Sequence, residues 1–256
     1  MKKTMKRTYL FGRVPFDTIT KKVLVETLSD WAGKHKKSLV LNMNTHGAVI
    51  FLKNRKYAQA IKSADIIYPD GWGPVLASRF LSGPLKERVN VGDFIPDLLQ
   101  LLNKNKLALY LLGCENATVK KAESTIREKY PDIVISGSHH GFFSRSEEKL
   151  VIKEIWTKRP DFVLVGIGVP NQELWIYKNW NILPNAIYMG VGGVFYYIAG
   201  IKSRAPKWIR NYYLEWLYRF FQEPKRLWKR YTLDNAAFMY LFVKSLFKLR
   251  FKRKLN

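Results

Sequence analysis

Cysteine, secretory segments and long apolar runs are scarce in this sequence. Cys114 is the single cysteine among 256 residues, so no disulfide can form within the chain, which suits a reducing compartment. The longest apolar run of the C-terminal region, residues 236–243, falls short of the roughly 18 residues that suggest a spanning helix. Arg13 and Pro15 interrupt the apolar stretch after the basic N-terminus. We therefore expect a cytoplasmic protein, either free or attached to a membrane surface.

Two kinds of cofactor motif are also missing. The GVGG run at 190–193 lacks the G-x-G-x-x-G spacing, and no ribose-binding acid follows about 20 residues later, which disfavours NAD chemistry. His46, His139 and His140 have no neighbouring cysteine or carboxylate with metal-ligand spacing. There is also no Asp-x-Asp pair that would hold a divalent ion on a nucleotide diphosphate. We expect neither a metal nor a cofactor.

Acidic residues are few, and the charge they leave is uneven along the chain. There are 44 Lys and Arg residues against 20 Asp and Glu, a net charge of +24, which favours polyanionic partners. Residues 202–256 hold 15 of the cations, three acids and the aromatic residues Trp208, Trp216 and Trp228. This basic and aromatic helical pattern suits a helix that lies on an anionic membrane surface. Alternatively, its aromatic side chains pack on the main domain.

The rest of the sequence alternates apolar runs with amphipathic segments. Strands that are apolar throughout and separated by helices predict a parallel sheet covered on both faces. The predicted strands are 38–44, 65–69, 107–113, 132–137, 161–168 and 186–192. The predicted helices are 18–33, 46–62, 72–82, 93–104, 116–129, 146–158 and 172–180. We predict a doubly wound, mostly parallel, Rossmann-like α/β domain over 1–200 and a helical appendage over 201–256.

Polar residues and glycines follow several predicted strands, where ligands of open parallel sheets bind. Asn42 and Asn44 close one strand, and Asp70 follows the next in YPDGWG. Backbone N–H groups at glycines can approach a diphosphate, and the glycines at later strand ends include Gly113, Gly166, Gly168, Gly190, Gly192 and Gly193. A carboxylate at such an end can act as a general base for sugar transfer. Asp70 can equally be a turn residue or a helix N-cap.

Arginines are available to balance a diphosphate in the absence of a metal. Arginine suits bidentate phosphate contacts, and the candidates are Arg88, Arg204, Arg219, Arg226 and Arg230. Each can instead be a solvated or lipid-facing charge.

Several motifs resemble a known family when taken together. They are YPDGWG (68–73), KERV with the nearby Asp93 (86–93), LLG (111–113), YPDIVISGSHHGFF (130–143), VGIGVPNQE (165–173), MGVGGVFYYIAG (189–200), RAP (204–206) and EWLYRFFQEPKR (215–226). Their order and spacing resemble the WecG/TagA/CpsF family of bacterial glycosyltransferases, from about residue 10 to residue 232.

The resemblance implies a reaction and its partners. A sugar, often N-acetylmannosamine or its uronic acid, is moved from a UDP donor to an undecaprenyl-diphosphate-linked sugar, with inversion and without a metal. Such enzymes serve cell-surface polysaccharide or teichoic acid synthesis at the inner face of the membrane, where an appendage helps to close the active site. The identities of the sugars and the oligomeric state stay open.

The resemblance also implies roles for individual residues. Asp70 matches the proposed catalytic base. The other matching positions are the pocket residues Asn44 and Arg88, the pair Gln172 and Glu173 expected near the nucleotide, and Arg219 and Arg226 expected at the diphosphate.

The sequence departs from the family pattern in three places. Asn42 stands where threonine is usual, and Asn171 replaces a lysine. The glycine before the motif aspartate sits one place later, at Gly92. These departures put the identity of the sugars in doubt more than the reaction class.

Two alternatives from other classes stay open. The charge of +24 would also suit a nucleic-acid-binding protein, although its basic excess is concentrated in an aromatic segment and no nucleic-acid module is recognisable. A non-catalytic scaffold of a polysaccharide assembly complex would fit the same resemblance.

Overall fold

The strands form one small hairpin and one large sheet. In the computed structural model, which describes residues 6–81 and 83–254, the strands are β1 (Arg7–Leu10), β2 (Val14–Asp17), β3 (Ser38–Met43), β4 (Ile66–Pro69), β5 (Ala108–Gly113), β6 (Val134–His139), β7 (Phe162–Gly166) and β8 (Ile187–Gly190). β1 and β2 pair antiparallel. The other six form a parallel sheet in the order β4-β3-β8-β7-β5-β6.

The six predicted sheet strands are all confirmed. The side chains along β7 alternate between two hydrophobic cores: Phe162 and Leu164 belong to one, Val163 and Val165 to the other. Because successive side chains of a strand point to opposite faces, these cores lie on the two sides of the sheet. This explains why the strands read as uninterrupted apolar runs.

Helices cover both cores, so the predicted doubly wound arrangement is confirmed. One face carries α1 (Lys21–Gly33), α5 (Val91–Lys104), α6 (Asn116–Lys129) and α9 (Val194–Ile198). The other carries α2 (Thr45–Lys53), α3 (Arg55–Lys62), α4 (Trp72–Leu81), α7 (Arg145–Lys158) and α8 (Asn171–Asn179), with a short 3₁₀ turn at Trp180–Ile182. The neighbouring strands β3 and β8 lead to helices on opposite faces, which opens a crevice at their carboxyl ends.

The structure corrects two local predictions. The single helix expected over 46–62 is two helices, because Asn54 is extended and its side-chain oxygen accepts from Tyr57 N at 3.0 Å, capping α3. The β1–β2 hairpin was not predicted, since its strands have only four residues each. Residues 1–5, 82, 255 and 256 belong to predicted segments but lie outside the described residues.

The C-terminal segment, defined here as residues 201–254, is helical as expected but consists of several pieces. They are α10 (Lys207–Asn211), α11 (Glu215–Gln222), α12 (Pro224–Lys229), a π-helical turn (Arg230–Asp234) and α13 (Asn235–Lys254). α13 docks through the buried Phe238, whose ring meets Phe11 of the hairpin turn edge-on at 5.2 Å. Other aromatic residues, including Trp208, Trp228 and Phe221, stay exposed. No helix within the described residues is long and apolar enough to cross a bilayer.

Candidate active site

A cavity of about 630 Å³ lies beyond the carboxyl ends of β3 and β4. One wall comes from the part of the chain before residue 201, called the body below: the start of α2, the loop after β4, and α4. The C-terminal segment supplies the opposite wall. Five predicted site residues line it: Asn44, Asp70, Arg88, Arg219 and Arg230. The cavity is thus built by two distant parts of the sequence.

Asp70 stands at the polar end of this cavity and is half-buried. Its backbone N–H donates to the carbonyl of Met43 at 3.0 Å, which continues the pairing of β3 with β4. Its Oδ1 accepts from Asn90 Nδ2 at 2.7 Å. Burial raises the pKa of Asp70, and the nearby Arg219 guanidinium offsets part of the rise. A carboxylate held in this way is oriented and a better proton acceptor than an ordinary aspartate.

Two cavity arginines share one buried carboxylate. Arg88 Nη1 donates to Glu215 Oε2 at 2.8 Å, and Arg219 Nη2 donates to Glu215 Oε1 at 2.9 Å. Burial alone would raise the pKa of Glu215, but Arg219 and Arg88 bring it below its usual value. Since Arg88 belongs to the body and Glu215 to α11, this pair joins the two walls of the cavity.

Asp93 and Arg204 lie behind this pair and do not line the cavity. Asp93 accepts from Arg88 Nη2 at 2.7 Å and lies 2.8 Å from both Arg204 Nη1 and Arg210 Nη1. A side chain at Gly92 would come within 3.0 Å of the Arg204 guanidinium. Gly92, the glycine that sits one place later than in the family pattern, therefore leaves room for Arg204. Asp93 and Arg204 support the cavity wall without lining it.

The two remaining predicted arginines differ in their surroundings. Arg230 lies in the π-helical turn and lines the cavity, where the charge of Asp70 acts on it. Burial lowers its pKa. Arg226 is exposed, bonds to Glu223 and does not line the cavity. Of the two, Arg230 is therefore the cation poised to meet an anion there.

Asn44 and His46 mark where β3 gives way to α2. Asn44 caps the helix by accepting from Gly47 N at 3.1 Å. It therefore lines the cavity, as predicted, and also stabilises the start of α2. His46 Nδ1 lies 2.6 Å from Asp234 Oδ2 of the π-helical turn. Burial and the nearby Arg230 lower the pKa of His46, which favours the neutral imidazole. This contact fixes the turn that carries Arg230.

Asn42 is buried below the cavity. Its Nδ2 donates to the carbonyl of Gly190 at 2.6 Å and thus ties β3 to β8. Its amide also lies 3.5 Å from the hydroxyl of the buried Tyr68. The asparagine that replaces the usual threonine therefore uses its extra donor within the sheet.

Gln172 and Glu173 are both completely buried. Gln172 Oε1 accepts from Gly192 N at 3.0 Å, and its Nε2 donates to Glu173 Oε1 at 2.9 Å. The other oxygen of Glu173 has no hydrogen-bond partner among the described residues, and burial raises the pKa of this carboxyl to about 7. The pair does not line the cavity. It supports, from the interior, the backbone of the glycine loop, defined here as residues 190–193 at the end of β8.

The strand-end glycines form a second, adjacent region. At Gly113 the backbone has φ +152°, and a side chain there would come within 2.5 Å of the Gly166 backbone, so β5 and β7 approach closely. Gly168 and Gly192 also have positive φ and open space around them. Neither these glycines nor Gly113 line the cavity of Asp70. Cys114 is buried beside them, and burial raises the pKa of its thiol to about 12.

Several cavity residues were not predicted from the sequence. Glu215, His46, Trp72 and Tyr231 line it, and Asn90 holds Asp70. Glu215 had a readable signal, because it is one of only three acids within residues 202–256. The contact between His46 and Asp234 joins residues 188 positions apart, and no sequence pattern indicated it. Among the described residues, no three His, Cys, Asp or Glu side chains are grouped so that they could hold a metal ion.

Comparison with known proteins extends this picture. The glycosyl transferase WecG/TagA/CpsF family matches residues 9–252. An N-acetylglucosaminyldiphosphoundecaprenol N-acetyl-beta-D-mannosaminyltransferase of Bacillus subtilis (strain 168) is 35% identical over 193 residues, which are 75% of this chain and 74% of the relative. A protein of the same name from Staphylococcus aureus (strain MW2) is 31% identical over 247 residues, 93% of this chain and 92% of the relative. The chain therefore belongs to the WecG/TagA/CpsF family and is a glycosyltransferase.

Proposed function

We propose that this chain transfers an N-acetylmannosamine-type sugar from a UDP donor to a sugar linked to undecaprenyl diphosphate, with inversion of the anomeric centre. The names of the relatives support the sugar and the acceptor, since they describe transfer of N-acetylmannosamine to N-acetylglucosaminyldiphosphoundecaprenol. The observation that carries the proposal is Asp70, a carboxylate of raised pKa at the polar end of a cavity that arginines surround.

In this reaction Asp70 is the general base. As the acceptor hydroxyl oxygen bonds to the anomeric carbon, its proton passes to an Asp70 oxygen and the bond from the anomeric carbon to the diphosphate oxygen breaks. The bonding electrons leave with UDP. Asn90 holds one Asp70 oxygen, which leaves the other free for the proton. A base of raised pKa takes up this proton more readily.

The negative charge that builds on UDP is balanced by arginine. Arg230 acts directly, because it lines the cavity together with Asp70 and does not share Glu215 with Arg88 and Arg219. Arg88 and Arg219 bear on the same cavity but share Glu215, so they contribute less free charge. Stabilising charge as it develops is commonly the largest contribution that an enzyme makes. Arg226 would join them only if α12 moved toward the cavity.

The nucleotide is placed at the glycine ends of the neighbouring strands. Gly168 and Gly192 provide backbone that a diphosphate or ribose can approach, and Gln172 fixes Gly192 by accepting from its N–H. Gly113 contributes by letting β5 and β7 approach closely beside them. Glu173 acts through Gln172 and not by contact with the nucleotide. Asn42 keeps β3 and β8 in register below.

Residues 201–256 act as an appendage that rests on the inner face of the cell membrane, while 1–200 form the catalytic domain. The exposed Trp208, Trp228 and Phe221 support this role, since aromatic and basic side chains together favour the headgroup layer. Removal of residues 202–256 should therefore abolish liposome binding as well as activity. A truncated chain that is fully active and indifferent to lipid would refute this division.

The proposal is tested by UDP release with Asp70→Asn. We expect binding of the UDP-sugar to persist while kcat falls by about 10³-fold, the usual scale for loss of a general base. The matched control is Asp97→Asn, an exposed aspartate paired with Lys21. In the wild type, activity should fall at acid pH with an apparent pKa above that of an ordinary aspartate. Turnover of Asp70→Asn near that of the control would reject Asp70 as the base.

A further inference from the structure

The cavity has an apolar end that the chemistry at Asp70 does not use. Its walls there are α4 and α13, which pack against each other with Phe80 and Phe242 edge-on at 5.9 Å. The lining side chains of these two helices at this end are Leu76, Ala77, Phe80, Phe238, Met239 and Phe242. None of these is charged or polar.

Several of these side chains remain open to water although they are large. Phe80 is 64% exposed, Met239 54% and Leu76 42%. A contiguous apolar surface left in water at the mouth of a cavity costs free energy unless a ligand covers it. The helices therefore present a groove suited to an apolar chain.

The groove is continuous with the cavity that Asp70, Arg88 and Arg230 line. A molecule that fills both parts must be anionic or polar at one end and apolar at the other. A nucleotide sugar is polar along its whole length and gains nothing from the groove. An isoprenoid diphosphate has the required order of groups, and cations stand at the end where its phosphates would lie.

We propose that the groove between α4 and α13 binds the first isoprene units of the acceptor lipid, next to its diphosphate. The occupant rests on the proposed function, because that function gives the acceptor a polyprenyl chain. Phe80 and Met239 form the outer contacts, and Leu76 lines the passage toward the sugar end. The groove thereby selects acceptors by their lipid as well as by their sugar.

The test separates the lipid from the diphosphate by calorimetry with farnesyl diphosphate and isopentenyl diphosphate, which differ in the number of isoprene units. The wild type should bind the farnesyl compound at least tenfold more tightly, which corresponds to burying about two more methylene groups. The double variant Phe80→Ser/Met239→Ser should reduce this preference to about twofold or less, with unchanged binding of UDP. Both side chains are more than half exposed, so the core is left intact.

Two matched variants control for general loss of surface aromatics. Phe142→Ser changes an exposed residue after β6, and Phe221→Ser changes an exposed residue of the C-terminal segment outside the cavity. Both should keep the farnesyl preference. If the wild type has no such preference, or the double variant keeps it, the proposal is overturned. It is also overturned if the double variant changes the sedimentation coefficient but not the preference, since the groove is then a contact between copies of the chain.

A parallel assay of UDP release distinguishes failure of the groove from failure of the proposed function. If no UDP-sugar and lipid acceptor react, yet the farnesyl preference is present and lost in the double variant, the function fails and the isoprenoid site stands. If transfer proceeds equally well with one isoprene unit and with three in both proteins, the function stands and the groove fails.

Discussion

The sheet and α11 are held in the molecule by different forces. Along β7, side chains such as Phe162 and Val163 are fully buried in the cores on the two faces. In α11, by contrast, the one buried residue is a carboxylate, Glu215, and it bonds to Arg88 of the body and Arg219 of its own helix. Burial of apolar area holds the sheet, whereas charge pairing beside the cavity holds α11.

The difference matters because only one of these forces responds to an anion. A diphosphate in the cavity leaves the packing of the sheet unchanged, but it competes with Glu215 for the same arginines. If the cavity binds a diphosphate as proposed, we therefore expect substrate binding and attachment of α11 to be coupled, while the sheet stays unchanged. The following variants probe that contrast.

The largest expected effect is a difference in stability between two Phe→Ala variants, one in the sheet and one in α11. Phe162→Ala should lower the free energy of unfolding by about 3–5 kcal/mol, because it opens a cavity in the centre of the sheet. Phe221→Ala in α11 should change it by less than about 0.5 kcal/mol, because that ring is 74% exposed. Urea unfolding followed by circular dichroism measures both. Similar losses in the two variants would contradict the contrast.

A smaller but more local effect is expected from Glu215→Gln. It removes the carboxylate that ties α11 to Arg88, so the cavity wall that carries Arg219 should loosen, and kcat/KM should fall by about 30-fold while the unfolding midpoint of the sheet changes little. Trypsin should cut the C-terminal segment faster in this variant. Saturating UDP should restore part of the protection, because its diphosphate replaces the missing charge.

Glu223→Gln is the matched control for this variant. Glu223 belongs to the same segment and pairs with Lys202 and Arg226, away from the cavity. Its loss should leave kcat/KM within about twofold, as expected for a partly exposed pair. Equal effects of the two glutamine variants would mean that Glu215 has no special place in the attachment.

The third effect lies on the sheet side and depends on pH. Burial raises the pKa of Glu173 to about 7 from its ordinary value of 4.5, so between these values the folded protein keeps a proton that the unfolded chain has released. Stability then falls as pH rises through this window. Glu173→Gln should be more stable than the wild type by about 3 kcal/mol at pH near 8.5 and almost equal near pH 4.5.

Urea unfolding at both pH values measures this difference. The exposed Glu128 of α6 provides the control, since Glu128→Gln should follow the wild type at every pH. A stability difference for Glu173→Gln that does not change with pH would show that the carboxyl is not the source.

The smallest effect is expected at the contact between α2 and the π-helical turn, where His46 meets Asp234. Asp234→Asn weakens the contact with His46, so the π-helical turn and Arg230 should shift slightly, and KM for the UDP-sugar should rise by about threefold. Asp30→Asn, at an exposed pair with Lys34, is the control. An unchanged KM would mean that the turn holds Arg230 without help from His46.

Much of the sheet could be predicted because its information is local. Each strand is an apolar run bounded by polar or glycine residues, so six strands and their parallel arrangement follow from the pattern. The hairpin escaped prediction because its short strands carry too little signal, and the break at Asn54 depends on one capping bond. The order of the strands depends on long-range packing that no local pattern contains.

The candidate site divides in the same way. Asp70 and Asn44 could be placed together, since they end strands that prove to be neighbours. Glu215 meets Arg88 across 127 positions of sequence, and its partnership follows only from how the C-terminal segment folds back. The spacing of residues in the sequence also could not show that the Asn42 amide donates to the Gly190 carbonyl, or that Glu173 is fully buried away from the cavity.

The shielded thiol of Cys114 makes this chain convenient for spectroscopy. With its pKa near 12 and its sulfur buried beside the glycine loop, it should react slowly with maleimide labels at neutral pH. A cysteine placed at Trp228 or Phe221 could therefore be labelled selectively without first removing the native one. A movement of α11 or α12 relative to the sheet would then be detected by fluorescence as UDP and lipid are added in turn.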